Sequence, residues 1–452
     1  MNIKVLREYD LGVKPKQVRS CDVKLGRETG MLFVYSESNV IDPCDSHFGH
    51  YDKPLHFAMY GEEGQQLWHK EMEISLIPGP WFVPFIALDM DKDGVDEIWF
   101  VNNISDKPLM IRSRVIERLD ARTGEIIGRY PFEAENIGYI MLCEAYRYML
   151  FGGYVDGEPV LVAQQGTYKE MYFQCYNADM SSRWTKVIED GDGPRGAHSV
   201  PVLDLNNDGT DEFLFGEHVI SLDTGEELFC MDGDKWFGHS DVVQPFTDLK
   251  SGKRCVYTCR ENGNYENCPR IVMFDSEGKR VWENVYADHT KFNHGHIHLG
   301  YTFNSKAHNR QISFGTDTTL DIEYYFDAAT GEKLDFPFAL KELRPIDIDG
   351  DGYHEFINAK WTDNGICKVY DSEGNLIKYA GGAIIRIGKW YDFKGEQFMT
   401  YYRDEQKVRI WGDVDAEDSE ALLARYKSGF KYFMQKMTGN GYNWLPTIDC
   451  AD

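Results

Sequence analysis

Ala87-Leu-Asp-Met-Asp-Lys-Asp-Gly-Val-Asp-Glu-Ile98 places an acidic turn between two short apolar runs, and the chain contains this arrangement three times. The other copies are Val202-Leu-Asp-Leu-Asn-Asn-Asp-Gly-Thr-Asp-Glu-Phe213 and Pro345-Ile-Asp-Ile-Asp-Gly-Asp-Gly-Tyr-His-Glu-Phe356. All three fit the pattern D-x-[DN]-x-D-G-x-x-E. An internal repeat of this kind indicates that one structural unit recurs along the chain, and it decides the fold class before any single residue does.

A second repeat accompanies the acidic turns. In it an apolar strand ends in a polar turn that contains glycine, and a short strand that often holds tryptophan follows. The copies lie at Met59…Trp68, Leu119…Gly124, Cys175…Trp184, Leu222…Gly225, Phe274…Trp282, Phe326…Gly331, Tyr370…Gly374 and, more weakly, Ile410…Asp413. Their spacing of roughly 40 to 60 residues is the size of one four-stranded propeller blade.

The repeats predict an all-β fold, a β-propeller of about eight four-stranded blades, with seven blades as the alternative. The predicted blades span residues 17–70, 79–130, 137–188, 195–232, 237–284, 292–336, 340–380 and 382–413. We expect the strand from Lys4 to Tyr9 to complete the last blade. Closing the ring in this way removes the open sheet edge that would otherwise favour aggregation.

Beyond the repeats, apolar residues recur at helical spacing between about 417 and 437. This pattern predicts one amphipathic helix, which we expect to pack on the outside of the propeller. The predicted organisation is therefore a catalytic β-propeller over residues 1–415, followed by a C-terminal helix and tail over residues 416–452.

The formal charge of −26 argues against nucleic acid or an anionic membrane as partner, because both need a basic surface. No apolar segment follows Met1, and no window reaches the length of a membrane span. We expect a cytoplasmic protein if Met1 is the native start, and otherwise a secreted or periplasmic one whose signal peptide has been removed. The ten cysteines are scattered, which predicts mostly reduced thiols.

One face of the predicted propeller collects histidines. His198, His239 and His296 stand where the innermost strands of three successive blades begin, so their imidazoles are expected to converge at the mouth of the central channel. By the same blade argument, further candidate substrate contacts lie on this face: His47, His50, Arg112, Tyr168, Arg195, Tyr265 and His294.

Two kinds of metal site are candidates. The acidic turns lie on the opposite face, and their alternating oxygens resemble a calcium loop; the candidate ligands are Asp89, Asp91, Asp93, Asp204, Asp208, Asp347, Asp349 and Asp351. The alternative is that hydrogen bonds of the Asx type hold these turns without metal. On the histidine face, imidazole and thiolate ligands suit a structural zinc ion, with His198, His239, Cys259 and His296 as the candidate set. No organic cofactor is expected.

Residues 195–245 carry a resemblance to a known group of enzymes. The stretches Gly196-Ala-His198-Ser, Asp204…Gly209, Phe215-Gly-Glu-His218 and Gly238-His239-Ser-Asp-Val-Val243 look similar to propeller polysaccharide lyases. These are the ulvan lyases of families 24 and 25, the rhamnose–glucuronate lyases of family 42 and the related glycoside hydrolase family 145. The acidic turns add little to the resemblance, since many propellers share them.

The resemblance implies a polysaccharide or oligosaccharide lyase that cleaves a bond to a uronic acid by β-elimination, on a rhamnose–glucuronate polymer such as ulvan or arabinogalactan. Carried over residue by residue, it implies Arg195 on the carboxylate and Tyr168 as proton donor or base. His198 and His239 are either catalytic or zinc ligands. No histidine lies between His69 and His198, so His50 or His47 would supply a base from an early blade.

Two other functions remain open on the sequence. A rhamnosidase-type glycoside hydrolase would need two carboxyl groups that flank the substrate, and no such pair is predicted on the histidine face. A non-catalytic carbohydrate-binding propeller is compatible with the fold, but it gives no reason for imidazoles at three equivalent positions.

Overall fold

Eight antiparallel sheets form the protein in the computed structural model, which describes residues 1–44, 51–105, 114–132, 142–261, 269–286, 296–317, 320–358 and 366–442. The eight-bladed propeller predicted from the sequence is confirmed. The N-terminal strand pairs with the last strand of the chain, from Ile3 against Asp413 to Asp10 against Lys407, and so closes the ring as predicted.

The strands are numbered in chain order, and each blade is given from its innermost strand outward. The first blade is β2 (Gln17–Leu25), β3 (Glu28–Ser36), β4 (His56–Tyr60) and β5 (Gln66–Glu71). The second is β6 (Phe85–Leu88), β7 (Glu97–Asn103), β8 (Arg114–Asp120) and β9 (Ile126–Pro131). The third is β10 (Tyr148–Val155), β11 (Glu158–Gln165), β12 (Met171–Tyr176) and β13 (Ser182–Ile188). The fourth is β14 (Val202–Leu203), β15 (Glu212–Phe215), β16 (His218–Ser221) and β17 (Glu227–Cys230).

The second half of the ring repeats the plan. The fifth blade is β18 (Ser240–Thr247), β19 (Arg254–Arg260), β20 (Pro269–Asp275) and β21 (Arg280–Tyr286). The sixth, over its described residues, is β22 (Ile297–Ser305), β23 (Arg310–Asp317) and β24 (Ile322–Asp327). The seventh is β25 (Leu343–Ile346), β26 (Glu355–Asn358), β27 (Lys368–Tyr370) and β28 (Leu376–Tyr379). The eighth is β29 (Ala383–Gly388), β30 (Gln397–Tyr401), β31 (Lys407–Asp413) and β1 (Ile3–Asp10).

The tryptophan and glycine repeat of the sequence is the contact between neighbouring blades. Trp68, in an outermost strand, donates its indole N–H to the carbonyl of Ala121 at 2.7 Å. Its ring lies so close to Gly124 that a Cβ there would come within 2.7 Å of it. Trp184 over Gly225 and Trp282 over Gly331 repeat this contact. Each glycine also has a positive φ, so both the backbone and the space above it require glycine.

The C-terminal segment differs from the prediction of one outer helix. Two short helices form, α2 (Glu420–Tyr426) and α3 (Phe430–Lys436), and they are separated at Gly429, where φ is +80°. A four-residue helix, α1 (Leu142–Ala145), is the other helix in the described ranges. None of these helices is long and apolar enough to cross a membrane.

Helix α3 and the residues after it run through the central channel instead of lying outside. Helix α3 contacts the innermost strands β2, β6 and β14. At one end the Lys436 ammonium pairs with Asp96 beside the first acidic turn, and at the other the Tyr442 N–H donates to the carbonyl of His198 at 2.8 Å. Between them Asn440 accepts from the Leu150 N–H at 2.6 Å. The amphipathic pattern showed that one helix face is buried, but it could not show which surface of the ring receives it.

We expect that replacing Asp22 will destabilise the propeller far more than replacing an exposed acid. Asp22 pairs with the Arg386 guanidinium inside the channel and accepts from the Gln435 amide at 2.7 Å. In Asp22→Ala the guanidinium stays buried without its carboxylate, which costs about 3–5 kcal/mol of the free energy of unfolding. Urea titration measures this loss.

Glu63→Ala is the control, because the Glu63 carboxylate is 82% exposed in its pair with Arg7. Its loss should change the free energy of unfolding by less than about 0.5 kcal/mol. Equal effects of the two substitutions would contradict the structural role given to the channel pair.

Candidate functional site

The histidines of three successive blades meet on one face of the ring. His198 precedes β14, His239 precedes β18, and His296 precedes β22. The ring centroids of His198 and His239 lie 4.4 Å apart. The sequence prediction placed these imidazoles at the channel mouth, and the structure brings them there because each blade begins with its innermost strand.

Asp241 joins the imidazoles, although sequence reasoning did not select it. Its carboxylate lies 2.9 Å from His298 Nδ1, 3.7 Å from His296 Nε2, 3.7 Å from His198 Nδ1 and 3.9 Å from His239 Nε2. Glu261, at the end of β19, lies 3.3 Å from His296 Nε2. The signal that could have found Asp241 is its position two residues after His239.

Irregular strand pairing brings Asp241 and His298 into the cluster. The β18–β19 register shifts between Ser240 and Val242, and the β22–β23 register shifts between Ile297 and Leu299. A bulge of this kind changes the direction of the extra residue and is common beside active sites. Alternation already places Asp241 on the side of His239 and His298 on the side of His296, because each lies two residues further along its strand. The sequence does not show the bulges, which set the final direction of each side chain.

A proton-transfer pair stands beside the acid cluster. The Tyr168 hydroxyl lies 2.8 Å from His198 Nε2, and His198 Nδ1 faces Asp241. With the Nδ1 proton on the side of Asp241, Nε2 is free to accept from the tyrosine. The arrangement of tyrosine, histidine and aspartate resembles a catalytic triad. In such a triad the acid orients the imidazole, and the imidazole accepts the proton of the hydroxyl group.

Burial and nearby charges set the protonation of these groups. Burial lowers the pKa of His198 well below its ordinary value, and the Arg147 guanidinium and His239 add to the effect. Burial raises the pKa of Tyr168, while Arg147 opposes the rise. Burial also acts on His296, but contacts with Asp241 and Glu261 outweigh it and raise its pKa to about 9. The site therefore holds a neutral imidazole and a strongly basic one side by side.

Aromatic and cationic groups form the wall behind Tyr168 and His198. Trp81 and Tyr442 stand edge-on to His198 or to each other, at 5.0–5.6 Å between ring centroids. The Arg147 guanidinium lies over the rings of both Trp81 (4.5 Å) and Tyr168 (5.2 Å). Arg147 immediately precedes the innermost strand β10. The histidines were predicted from their position at the start of innermost strands, and the same criterion could have selected Arg147.

The other predicted residues divide into two groups. Arg195 is exposed, and its main-chain carbonyl rather than its guanidinium makes the contacts in the site. Cys259 is buried in an apolar cluster with Val242 and Ile271 instead of joining the histidines. The remaining predicted residues lie outside the described ranges: His47, His50, Arg112, Tyr265 and His294.

Cys259 does not lie beside the histidines as predicted for the zinc set, and the side chains that cluster there offer nitrogen and oxygen atoms. Asp241, Glu261, His296 and His298 can bring one ligand atom each within 4.8 Å of one another, and His198, His239 and Asp241 can do the same. The missing thiolate and the two carboxylates move the preference toward harder divalent cations. The carboxylate pair, Asp241 and Glu261, was not expected from the sequence.

The sequence left two interpretations of the acidic turns on the opposite face: Asx-type hydrogen bonds and a calcium loop. The structure shows features that are compatible with each. Asp89 and Asp204 accept backbone N–H groups at 2.9–3.1 Å, as in Asx turns. The carboxyl groups also crowd: Asp89 with Asp91 and Asp93, and Asp347 with Asp349 and Asp351, bring oxygens within 4.8 Å of one another. Burial raises the pKa of Glu97 and Glu212 to about 7 and that of Glu355 to about 9. Arg118 offsets part of the negative charge in the first turn and Arg425 in the third, and a bound cation would offset more of it.

The fold and this site define a propeller with a cluster of histidines and carboxylates at one mouth of its channel, and comparisons with known proteins point to the propeller polysaccharide lyases. A family model described as rhamnogalacturonan lyase family 11, C-terminal domain, matches residues 138–298. The rhamnogalacturonan exolyase YesX of Bacillus subtilis (strain 168) is 25% identical over 464 residues, which cover 90% of this chain and 71% of that protein. The rhamnogalacturonan endolyase YesW of the same organism is 22% identical over 226 residues, 43% of this chain and 36% of that protein.

Solved structures are similar to the whole propeller. The exotype rhamnogalacturonan lyase YesX gives a TM-score of 0.77 at 18% identity, covering 96% of this chain and 80% of that one. YesW gives 0.77 at 18% identity, covering 98% and 81%. The resemblance seen in the sequence therefore holds at the level of propeller polysaccharide lyases. The matching family model is rhamnogalacturonan lyase family 11, not the ulvan lyases of families 24 and 25, family 42 or glycoside hydrolase family 145.

We expect Gly196→Ala to damage the site more than Gly191→Ala in the same loop. Both glycines have a positive φ, so either alanine costs about 1–2 kcal/mol of strain. A Cβ on Gly191 meets open space, whereas one on Gly196 would come within 2.5 Å of the Phe215 ring. Overpacking adds about 1–3 kcal/mol. Thermal unfolding of the two variants measures the difference, and equal losses would contradict the close packing of Gly196.

Proposed function

We propose that this protein is a polysaccharide lyase that cleaves rhamnogalacturonan, a polymer of rhamnose and galacturonic acid, at a bond to the uronic acid by β-elimination. The family match over residues 138–298 and the named relatives confirm the enzyme class that the sequence predicts. The choice of galacturonate over glucuronate rests on the names of those relatives. The observation that carries the mechanism is the 2.8 Å contact between Tyr168 and His198.

β-Elimination needs one group that removes the C5 proton and one that protonates the departing oxygen. Tyr168 is half-buried and His198 is buried, so Tyr168 is the group that the sugar reaches. The C5 proton passes to the Tyr168–His198 pair, and the electrons of the C–H bond form the C4–C5 double bond. The C4–O bond breaks, and its oxygen takes a proton from the same pair. Asp241 stabilises the imidazole whenever it carries the extra proton.

The reaction also needs positive charge near the C5 carboxylate, because this lowers the pKa of the C5 proton. We assign a divalent cation to Asp241, Glu261, His296 and His298, whose oxygen and nitrogen ligands converge beside Tyr168 and His198. Such an ion, if bound, would supply the positive charge that neutralises the uronate carboxylate. The carboxylates of Asp241 and Glu261 are engaged with His296 and His298, an arrangement that does not fit the two flanking acids of a hydrolase.

The assay for this proposal is ultraviolet absorbance during incubation with rhamnogalacturonan. The product carries a double bond conjugated to the carboxylate, which absorbs where saturated uronates do not. We expect a rise with the wild type and a loss of at least about 100-fold in kcat in Tyr168→Phe, since general acid–base catalysis contributes about 10²–10⁴-fold. Tyr402→Phe is the control, because that hydroxyl lies in the last blade and donates to the Ala380 carbonyl at the end of the seventh, whereas Tyr168 and His198 belong to the third and fourth blades.

The other outcomes decide between the remaining functions. Sugar release without an absorbance rise would favour the rhamnosidase-type hydrolase. Binding of the polymer without any product would favour a carbohydrate-binding propeller. Wild-type activity that survives in Tyr168→Phe would keep the lyase but reject Tyr168 as its proton-transfer group.

We further propose structural calcium in the acidic turns. The second turn is chosen for the test, because Asp204, Asp208 and Glu212 form no ion pair with lysine or arginine among the described residues. In the other two turns, Arg118 pairs with Asp91 and Glu97, and Arg425 pairs with Asp347. Calcium should raise Tm, and a chelator should lower it, since an ion that binds only the folded state adds about 2.7 kcal/mol at 100 times its Kd.

The double variant Asp204→Asn/Asp208→Asn should lose part of this calcium-dependent shift. Glu62→Gln/Glu63→Gln removes the same charge from a turn that lacks the acidic pattern and should retain the whole shift. An equal response of both variants to calcium would contradict a site in the second turn.

A further inference from the structure

The loop that carries Arg195 is held at its centre by one main-chain oxygen. The carbonyl of Arg195 accepts from the Tyr168 N–H at 3.1 Å, the Thr167 hydroxyl at 3.1 Å and His239 Nδ1 at 3.2 Å. It therefore fixes the backbone of the tyrosine and the ring of a neighbouring histidine together. Tyr168 itself has φ of +71°, a strained value that persists only where the surroundings impose it.

The same loop is rich in glycine. Gly191, Gly193 and Gly196 all have positive φ, so the backbone from 191 to 196 relies on residues with few conformational restraints. The Arg195 N–H donates to the Gly238 carbonyl at 2.8 Å, and a further contact holds the residue before it.

His218 provides that contact from the third strand of the same blade. Its Nε2 donates to the carbonyl of Pro194 at 2.8 Å, and its Nδ1 lies 2.6 Å from the Glu227 carboxylate. The ring is 1% exposed. His218, Glu227 and Cys230 could also meet around a metal, but in this structure the two ring nitrogens are engaged with the Pro194 carbonyl and the Glu227 carboxylate.

Glu217 braces the next loop in the same way. Its buried carboxylate accepts from the Ser240 hydroxyl at 2.7 Å and from Arg260 Nε at 2.9 Å. Ser240 lies between His239 and Asp241. The adjacent residues Glu217 and His218 therefore hold the two segments that carry the site residues, one at Ser240 and the other at Pro194.

We propose that His218, oriented by Glu227, is a positioning residue that fixes the Arg195 carbonyl and thereby aligns Tyr168 and His239 with His198. The role in the reaction rests on the proposed lyase function, whereas the alignment is a property of the fold. His218 touches neither the substrate nor the reacting atoms.

The test compares His218→Ala with His56→Ala. His56 is also a buried histidine at the start of the third strand of its blade, but its Nδ1 contacts His69 in the first blade. We expect His218→Ala to lower kcat on rhamnogalacturonan by about 100-fold with KM changed less than about threefold, because a misplacement of about 1 Å can cost that much. His56→Ala should keep kcat. His218→Gln, whose amide can still donate to the Pro194 carbonyl, should recover most of the loss.

Crystal structures of the same variants separate this inference from the lyase assignment. We expect the Tyr168–His198 hydrogen bond to be broken in His218→Ala and kept in His56→Ala, whether or not any substrate is turned over. An unchanged Tyr168–His198 distance in His218→Ala would overturn the inference. So would an equal fall of kcat in His218→Ala and His56→Ala, or a failure of His218→Gln to recover activity.

Discussion

Closure of the ring is the constraint on which the rest of the structure depends. The pairing of β1 with β31 joins the two ends of the chain, and the eight first strands can then converge on one channel. Convergence has two consequences. It brings the residues that start those strands to one mouth of the channel, and it leaves a space along the axis that the C-terminal segment fills.

The site inherits its geometry from this closure. His198, His239 and His296 come from three different blades, and only a closed ring places them around one point. The channel segment then reaches the site from below, because the Tyr442 N–H holds the carbonyl of His198. The C-terminal segment therefore links stability to the site. Its Gln435 amide donates to Asp22 near one end of the channel, and its Tyr442 N–H donates to the His198 carbonyl at the other.

Much of this architecture is readable from the sequence, and particular residues show why. The acidic turns and the tryptophan–glycine contacts recur because several blades pack in the same way, so their spacing predicts about eight blades and the face on which the histidines lie. Asp241 and His298 stand two residues after His239 and His296, so alternation could have placed them on the same face. Only the register shifts at these two positions could not be predicted from the sequence. Arg147 was missed although it obeys the same rule as the histidines. The helix pattern of the C-terminal segment indicated burial but not its place in the channel.

The measurement that tests the central claim most directly is the mass of the products formed from rhamnogalacturonan in water labelled with heavy oxygen. β-Elimination adds no water, so the account predicts fragments that contain an unsaturated uronate and no label. Fragments that carry one labelled oxygen and a saturated uronate would show that the bond is hydrolysed, and they would contradict the account of Tyr168 and His198 as an eliminating pair.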